Sequence, residues 1–164
     1  MNPEKEKIET VCNLIEKGTG TKKEIVDLLK KIPRKSRLEW PTRCPLVSVV
    51  KSGKKTLANE LIYGFGFDIN STTQEWNDGN WCSLGAAIHC GNLDLARFFL
   101  AKGVDTNTIK SEIFKDAIFF SSVESVKFLL EEVGTDVNFK MWLEDNNTKQ
   151  FLPIHFAICN DVEK

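Results

Sequence analysis

The chain has 164 residues, 41% hydrophobic and 27% charged, which suits one ordinary globular domain with its own core. No stretch reaches the roughly 18 consecutive apolar residues of a membrane span, and the charged start MNPEKEKIE is not a secretory signal. The five cysteines are scattered without a Cys-x-x-Cys pair, which argues against a thiol redox motif or a common zinc arrangement. We therefore expect an intracellular, cytoplasmic protein with reduced thiols, no cofactor and no metal.

The net charge of −1 hides an asymmetry along the chain. Residues 1–55 hold 14 basic and 7 acidic residues, which sum to +7, whereas residues 56–164 hold 8 basic and 16 acidic residues, which sum to −8. Such a distribution can steer a charged partner toward one end of the molecule. The alternative is that two solvated surfaces simply differ in charge.

Two amphipathic helices are predicted near the N-terminus. The first carries apolar residues from Ile8 to Ile15, and the second opens at Thr21, which has the Thr-x-x-Glu spacing of a capping box with Glu24. We expect residues 1–43 to form a helical N-terminal cap or divergent repeat plus a linker, because a terminal repeat needs a polar outer face. A separate helical hairpin packed on the rest of the chain is the alternative.

The link after these helices contains the basic segment KKIPRKSR, from Lys30 to Arg37. A segment of this composition is typical of a nuclear localisation cluster, a phosphorylation site at Ser36 or a contact for an anionic partner. A solvated linker is the simpler interpretation. The segment therefore adds the nucleus as an alternative to the cytoplasm.

From Cys44 onward one pattern recurs: an apolar helix start, a break, a second apolar helix and then Gly-x-Asp-x-Asn. The clearest copy is CSLGAAIHCGNLDLARFFLAKGVDTN. Three copies end at Asn70, Asn107 and Asn138, which lie 37 and 31 residues apart, on either side of a period of about 33. One copy cannot bury its own apolar face, so neighbouring copies must stack into a continuous core. The glycine of each ending suits a left-handed helix terminus. These glycines are Gly66, Gly103 and Gly134.

This pattern resembles the ankyrin-repeat family. The family's Thr-Pro-Leu-His helix start appears as Cys-Pro-Leu-Val from Cys44, Cys-Ser-Leu-Gly from Cys82 and Leu-Pro-Ile-His from Leu152. The resemblance implies an all-α solenoid of stacked helix pairs with β-hairpin finger loops. The implied repeats are at about 44–76, 82–111, 112–144 and a truncated 152–164.

Catalytic motifs are absent from the sequence, since it contains no phosphate loop, no Gly-x-Ser-x-Gly and no His-Glu-x-x-His. In the ankyrin family the position of His155 ties neighbouring backbone together, and that of His89 faces solvent. Cys82 and Cys90 lie near His89, but three ligands without a fourth make a weak metal site. We therefore predict that the protein is not an enzyme.

Two of the three connections between repeats are enlarged, and both carry tryptophan. Residues 71–81 contain Trp76 and Trp81, and residues 139–151 contain Trp142. The resemblance makes these segments the fingers beside the concave face, where exposed Trp side chains would anchor a partner. The alternative is that the Trp side chains fold back and cover the shorter finger between them.

A phenylalanine pair, Phe119 and Phe120, stands where the preceding copy has His89 and Cys90. Two Phe residues at a normally polar edge indicate an apolar patch beside the second enlarged finger, although packing beneath Trp142 would explain them equally well.

We predict a monomeric protein-interaction module that binds a protein partner through the concave face and the fingers, and binds neither nucleic acid nor a membrane. A small-molecule or metal site on the repeat face is a further alternative. Another is a targeting or substrate-recruiting segment of a larger enzyme or effector, such as a ubiquitin ligase subunit, because the sequence stops at Lys164 inside a repeat. The predicted partner contacts are Trp76, Trp81, His89, Phe119, Phe120 and Trp142.

Overall fold

The computed structural model describes most of the chain. The described residues are 3–34, 43–76, 79–108, 113–114, 117–118, 122–138, 141–142 and 150–151. For residues 73–76, 79–80, 108, 141–142 and 150–151 it describes the backbone alone. The predicted fourth repeat, 152–164, lies outside the described residues.

The described part contains seven α-helices and two antiparallel hairpins. The helices are α1 (Pro3–Glu16), α2 (Lys22–Lys30), α3 (Pro45–Ser52), α4 (Lys55–Tyr63), α5 (Ser83–His89), α6 (Leu93–Ala101) and α7 (Val123–Glu131). Residues 113–114 and 117–118 are also helical, and a 3-10 turn spans Thr106–Thr108. The strands are β1 (Thr72–Trp76), β2 (Gly79–Cys82), β3 (Met141–Trp142) and β4 (Gln150–Phe151).

Side-chain caps fix where several helices begin. Thr21 forms the predicted capping box, because its Oγ accepts the N–H of Glu24 at 3.2 Å while Glu24 Oε2 accepts the N–H of Thr21 at 2.8 Å. Asn92 and Ser122 cap α6 and α7 by accepting a backbone N–H three residues further on. Pro45 stands in the first turn of α3, where its missing N–H costs no hydrogen bond.

Helix pairs stack side by side along the chain. α1 packs on α2, α3 on α4 and α5 on α6, while α1 also packs on α3 and α3 on α5. The residues between them, such as Ile15, Leu46 and Leu84, are fully buried. Gly85 of α5 faces Ile113 so closely that a Cβ would overlap its Cδ1, which places the helical residues after position 112 against α5. The expected all-α architecture of stacked helix pairs is confirmed for the described residues.

The three second helices of the repeats end on left-handed glycines, as predicted. Gly66, Gly103 and Gly134 have φ angles of 70°, 79° and 76°. The first helices α1, α3 and α5 also lead into such glycines, since Gly18, Gly53 and Gly91 have φ angles of 65°, 64° and 67°. The N-terminal pair α1–α2 thus makes the same kind of turn as the two pairs that follow it.

The Asp-x-Asn segment after each second helix folds in the same way three times. The Asp carboxylate accepts the backbone N–H of the Asn, and the pairs are Asp68 with Asn70 at 2.9 Å, Asp105 with Asn107 at 2.9 Å, and Asp136 with Asn138 at 2.8 Å. In addition, Asn70 Oδ1 accepts the N–H of Asp105 at 2.8 Å, so the turn of one repeat holds the turn of the next.

Both enlarged connections contain the predicted hairpins. In the first finger, β1 and β2 pair Thr73 with Trp81 and Trp76 with Gly79, with a register shift between these two pairs. In the second finger, β3 and β4 pair Trp142 with Gln150. The base of the first finger is closed by Ser83, whose Oγ donates to the carbonyl of Ile69 at 2.9 Å. The predicted polar tip at 144–148 lies outside the described residues.

Candidate functional site

The C-terminal ends of the first helices lie along one side of the stack. Glu16, Lys51 and His89 each stand two residues before a left-handed glycine, at the ends of α1, α3 and α5. Lys51 Nζ lies 3.2 Å from Glu16 Oε2, which joins the first two of these positions directly. We call the surface formed by Glu16, Arg43, Lys51, His89 and Cys90 the inner face.

Glu16 organises the N-terminal end of the inner face. Its Oε1 accepts hydrogen bonds from Arg43 Nη2 at 2.9 Å and from Ser48 Oγ at 2.8 Å, and its Oε2 from Lys51. Arg43 Nη1 donates to Asn13 Oδ1 at 2.7 Å as well. The two basic side chains are therefore held in place by residues of α1, 27 to 35 positions earlier in the chain.

Glu16, Arg43, Ser48 and Lys51 form a cluster, here called the Glu16 cluster, and the three partners change the acidity of the Glu16 carboxyl group. Burial works to raise the pKa of Glu16, but hydrogen bonds from Ser48 and Lys51 and the charges of Lys51 and Arg43 outweigh burial. The pKa of Glu16 therefore lies below its ordinary value of 4.5. The carboxylate is ionised at neutral pH, so the cluster carries one negative and two positive charges.

The middle of the inner face is built on Trp81. Its side chain is only 6% exposed, and its ring meets the His89 ring edge to face with centroids 4.9 Å apart. The neighbouring Cys82 is buried and caps α5, because its Sγ accepts the N–H of Gly85 at 3.3 Å. The returning strand of the first finger is therefore attached to α5, and His89 is held half-buried beside it.

Cys90 lies next to His89 on this surface, at the end of α5. The residue is exposed, yet surrounding atoms desolvate its thiol and raise the thiol's pKa, an effect that the charge of Lys51 partly opposes. The influence of Lys51 shows that α3 and α5 contribute to the same surface.

The structure offers no metal centre in the part of the chain that it describes, where no three His, Cys, Asp or Glu side chains are grouped to hold an ion. In the same part, no helix is long and apolar enough to cross a membrane.

The sequence was compared with models of protein families. The model for ankyrin repeats, in three copies, matches residues 46–141, from α3 to β3. The chain belongs to the ankyrin-repeat family. Ankyrin repeats are generally protein–protein interaction modules, and domains built from them are generally non-catalytic. A comparison with curated proteins finds no match.

The predicted contact residues fall into three groups on this ankyrin scaffold. Trp81 and His89 are brought together, but Trp81 is buried, so it supports the finger from inside and offers a partner little surface. Trp76 and Trp142 lie on the strands of the two fingers, and their side chains lie outside the described part. Phe119 and Phe120 lie outside the described residues altogether.

Sequence reasoning missed Glu16, Arg43 and Lys51 as members of the inner face. A signal was present, because Lys51 precedes Gly53 by two residues just as His89 precedes Gly91. Arg43 and Trp81 are also matched, since each stands directly before the cysteine that precedes a first helix. Lys51 is equivalent to His89 in the repeat pattern, and extending the alignment to Gly18 and Cys44 brings out Glu16 and Arg43 as well.

Proposed function

We propose that this ankyrin-repeat protein binds a protein partner along the inner face, with the fingers alongside. The observation that carries the proposal is the row of Glu16, Lys51 and His89 at equivalent helix ends, held by neighbouring side chains. Side chains fixed before binding lose less conformational freedom when a partner docks, so more of the contact energy appears as affinity.

Within this proposal, the described surface contacts are Lys51, His89 and Cys90, which are half-buried or exposed. Trp76, Phe119, Phe120 and Trp142 remain proposed contacts that rest on the sequence alone. Trp81 acts indirectly, by holding the first finger and His89 in position.

We further propose that residues 1–43 contain a divergent repeat that begins the inner face. Three facts support this: α1 packs on α3 as α3 packs on α5, Gly18 makes the same turn as Gly53, and Glu16 occupies the helix-end position of Lys51. On the second helices, Lys22 of α2 also pairs with Glu60 of α4 at 2.7 Å.

A comparative pull-down tests the function. The tagged protein, an inner-face variant (Lys51→Ala with His89→Ala) and a matched control on α7 (Val123→Ala with Lys127→Ala) are each incubated with lysate and analysed by quantitative mass spectrometry. Val123 and Lys127 are exposed on α7, so replacing them with Ala controls for the loss of surface side chains in general.

We expect the inner-face variant to lose proteins that the wild type and the α7 control both retain, with identical circular dichroism. Equal retention by all three proteins would contradict the assignment of the inner face. Loss in both variants would show that the captured proteins recognise no particular face.

A further inference from the structure

A second surface, formed by the second helices α4 and α6, combines aromatic rings with lysines. On α4 and at the end of α6, the Lys102 ammonium lies 4.8 Å from the centroid of the Tyr63 ring and 5.5 Å from that of Phe98. The Lys55 ammonium lies 5.7 Å from the Phe98 ring on the same surface. We call these four residues the outer patch.

Phe98 packs against the core, but the core does not explain Tyr63. Tyr63 is 64% exposed, whereas its neighbour Leu61 on the same helix is fully buried. A large aromatic side chain left mostly in water contributes little to folding, and aromatic residues are enriched where proteins meet partners. The ring of Tyr63 is therefore available for contact.

The lysines of the outer patch lack acidic partners in the described structure. Each of α4 and α6 contains one acidic residue, and each of these is next to another cation. Glu60 lies 2.7 Å from Lys22, and Asp94 lies 3.6 Å from Arg97. Among the described residues, neither ammonium of the outer patch lies within salt-bridge distance of a carboxylate. Two positive charges without a carboxylate partner in the described part of the chain thus flank two aromatic rings.

We propose that the outer patch binds an acidic segment of a partner protein, whose carboxylates would pair with Lys55 and Lys102 while an apolar side chain covers Tyr63 and Phe98. Charge complementarity favours this occupant. A long nucleic acid is disfavoured because its phosphates would extend beyond Lys55 and Lys102 over residues 56–164, whose net charge is −8, whereas a short acidic segment need cover only the outer patch. This surface is separate from the inner face.

Fluorescence anisotropy tests the proposal with a labelled peptide of alternating Glu and Leu, against the same peptide with Gln in place of Glu. We expect the Glu peptide to bind, with an affinity that falls as salt rises. Lys102→Glu should weaken binding by about tenfold, since it replaces an attraction with a repulsion. Lys127→Glu on α7 makes the same change in net charge and should change affinity by less than about twofold.

The aromatic part is tested by Tyr63→Ala and Tyr63→Phe. We expect the first to weaken binding by about fivefold and the second to leave it unchanged, because the ring and not the hydroxyl makes the contact. Tyr63 is exposed, so both variants should fold, which circular dichroism checks. His89→Ala should leave peptide binding unchanged, which separates this surface from the inner face.

Four outcomes would overturn the proposal. They are equal weakening by Lys102→Glu and Lys127→Glu, equal binding of the Gln peptide, tighter binding of a single-stranded oligonucleotide of matched charge, and a concentration-dependent dimer in sedimentation that Lys102→Glu abolishes. The third would identify a nucleic acid as the occupant, and the fourth a second copy of the chain.

Discussion

Gly85 marks a close approach between the second and third repeats. A Cβ at this position would overlap Ile113 Cδ1 and lie 3.2 Å from its Cγ1. We expect Gly85→Ala to lower the free energy of unfolding by about 1–3 kcal/mol, because a methyl group forced into a packed interface displaces its neighbours. Urea unfolding followed by circular dichroism measures the change.

The double variant Gly85→Ala with Ile113→Val provides the matched control. Valine lacks the Cδ1 that the new methyl group would strike, so the double variant should be more stable than the sum of the two single losses predicts. Simple additivity would show that the destabilisation arises elsewhere.

Gly103 tests the left-handed turn that ends each repeat. Its φ angle is 79°, and nothing lies within 4 Å of a Cβ built there. A substitution at this position therefore reports backbone strain without steric crowding. We expect Gly103→Ala to cost about 1–2 kcal/mol in thermal or urea unfolding, and Gly103→Asn to cost less, because Asn tolerates the left-handed region better. A more harmful Asn variant would contradict this account.

At the scale of single residues, the sequence predicted what depends on local geometry. Gly66, Gly103 and Gly134 were placed in left-handed turns because the Gly-x-Asp-x-Asn spacing itself specifies the turn. The close contact of Gly85 was not predicted, because it depends on which side chain of another repeat lies opposite.

Trp81 connects the first finger to the helix that follows it. We expect Trp81→Ala to cost about 3–5 kcal/mol, the usual loss for truncating a buried aromatic residue. Trp81→Phe keeps an apolar ring against His89 and should retain most of the stability. Urea unfolding distinguishes the two variants. Equal free energies of unfolding for the wild type and Trp81→Ala would contradict the burial of Trp81.

The Glu16 cluster makes the junction between α1 and α3 sensitive to acid. Because the folded-state pKa of Glu16 lies below its ordinary value of 4.5, its contribution to stability is present above about pH 4.5 and is lost as the pH falls through the folded value. At pH 7 we expect Glu16→Gln to cost about 1 kcal/mol, since the partly exposed carboxylate is screened by solvent.

The measurement is urea unfolding of the wild type and Glu16→Gln at pH 7 and near pH 3, where the difference between them should shrink. The control is Glu6→Gln on the exposed surface of the same helix, which should behave like the wild type at both pH values. A difference for Glu16→Gln that persists unchanged in acid would contradict the cluster's role.

At the scale of elements, helices and hairpins followed from periodicity, the Thr21 capping box and the spacing of turn residues. The environment of Trp81 did not, because the exposure of a finger side chain is decided by a ring of another element, His89. The Glu16 cluster also escaped prediction, since charged residues about 30 positions apart give no local signal.

The whole molecule unfolds in one step if α1 and α2 belong to the stack. Ile15 of α1 is fully buried, and we expect Ile15→Ala to cost about 2–5 kcal/mol. In a single stack, this loss should shift one shared transition seen by circular dichroism and by tryptophan fluorescence. A separate N-terminal hairpin would instead give an early transition in circular dichroism and, in a Trp40→Phe background, leave the fluorescence midpoint unchanged.

The closed base of the first finger has a consequence for how such a protein can diversify. Ser83 donates a hydrogen bond to the carbonyl of Ile69 at the base of the hairpin, and the adjacent Asn70 holds Asp105 of the next repeat, so both ends of the finger are anchored below its tip. Doubling the length of a flexible loop costs only about 0.6 kcal/mol in closure entropy. A finger from another repeat protein could therefore be transplanted between Asn70 and Trp81, giving the scaffold a new specificity while the buried Trp81 and the Cys82 cap of α5 preserve the stability of the stack.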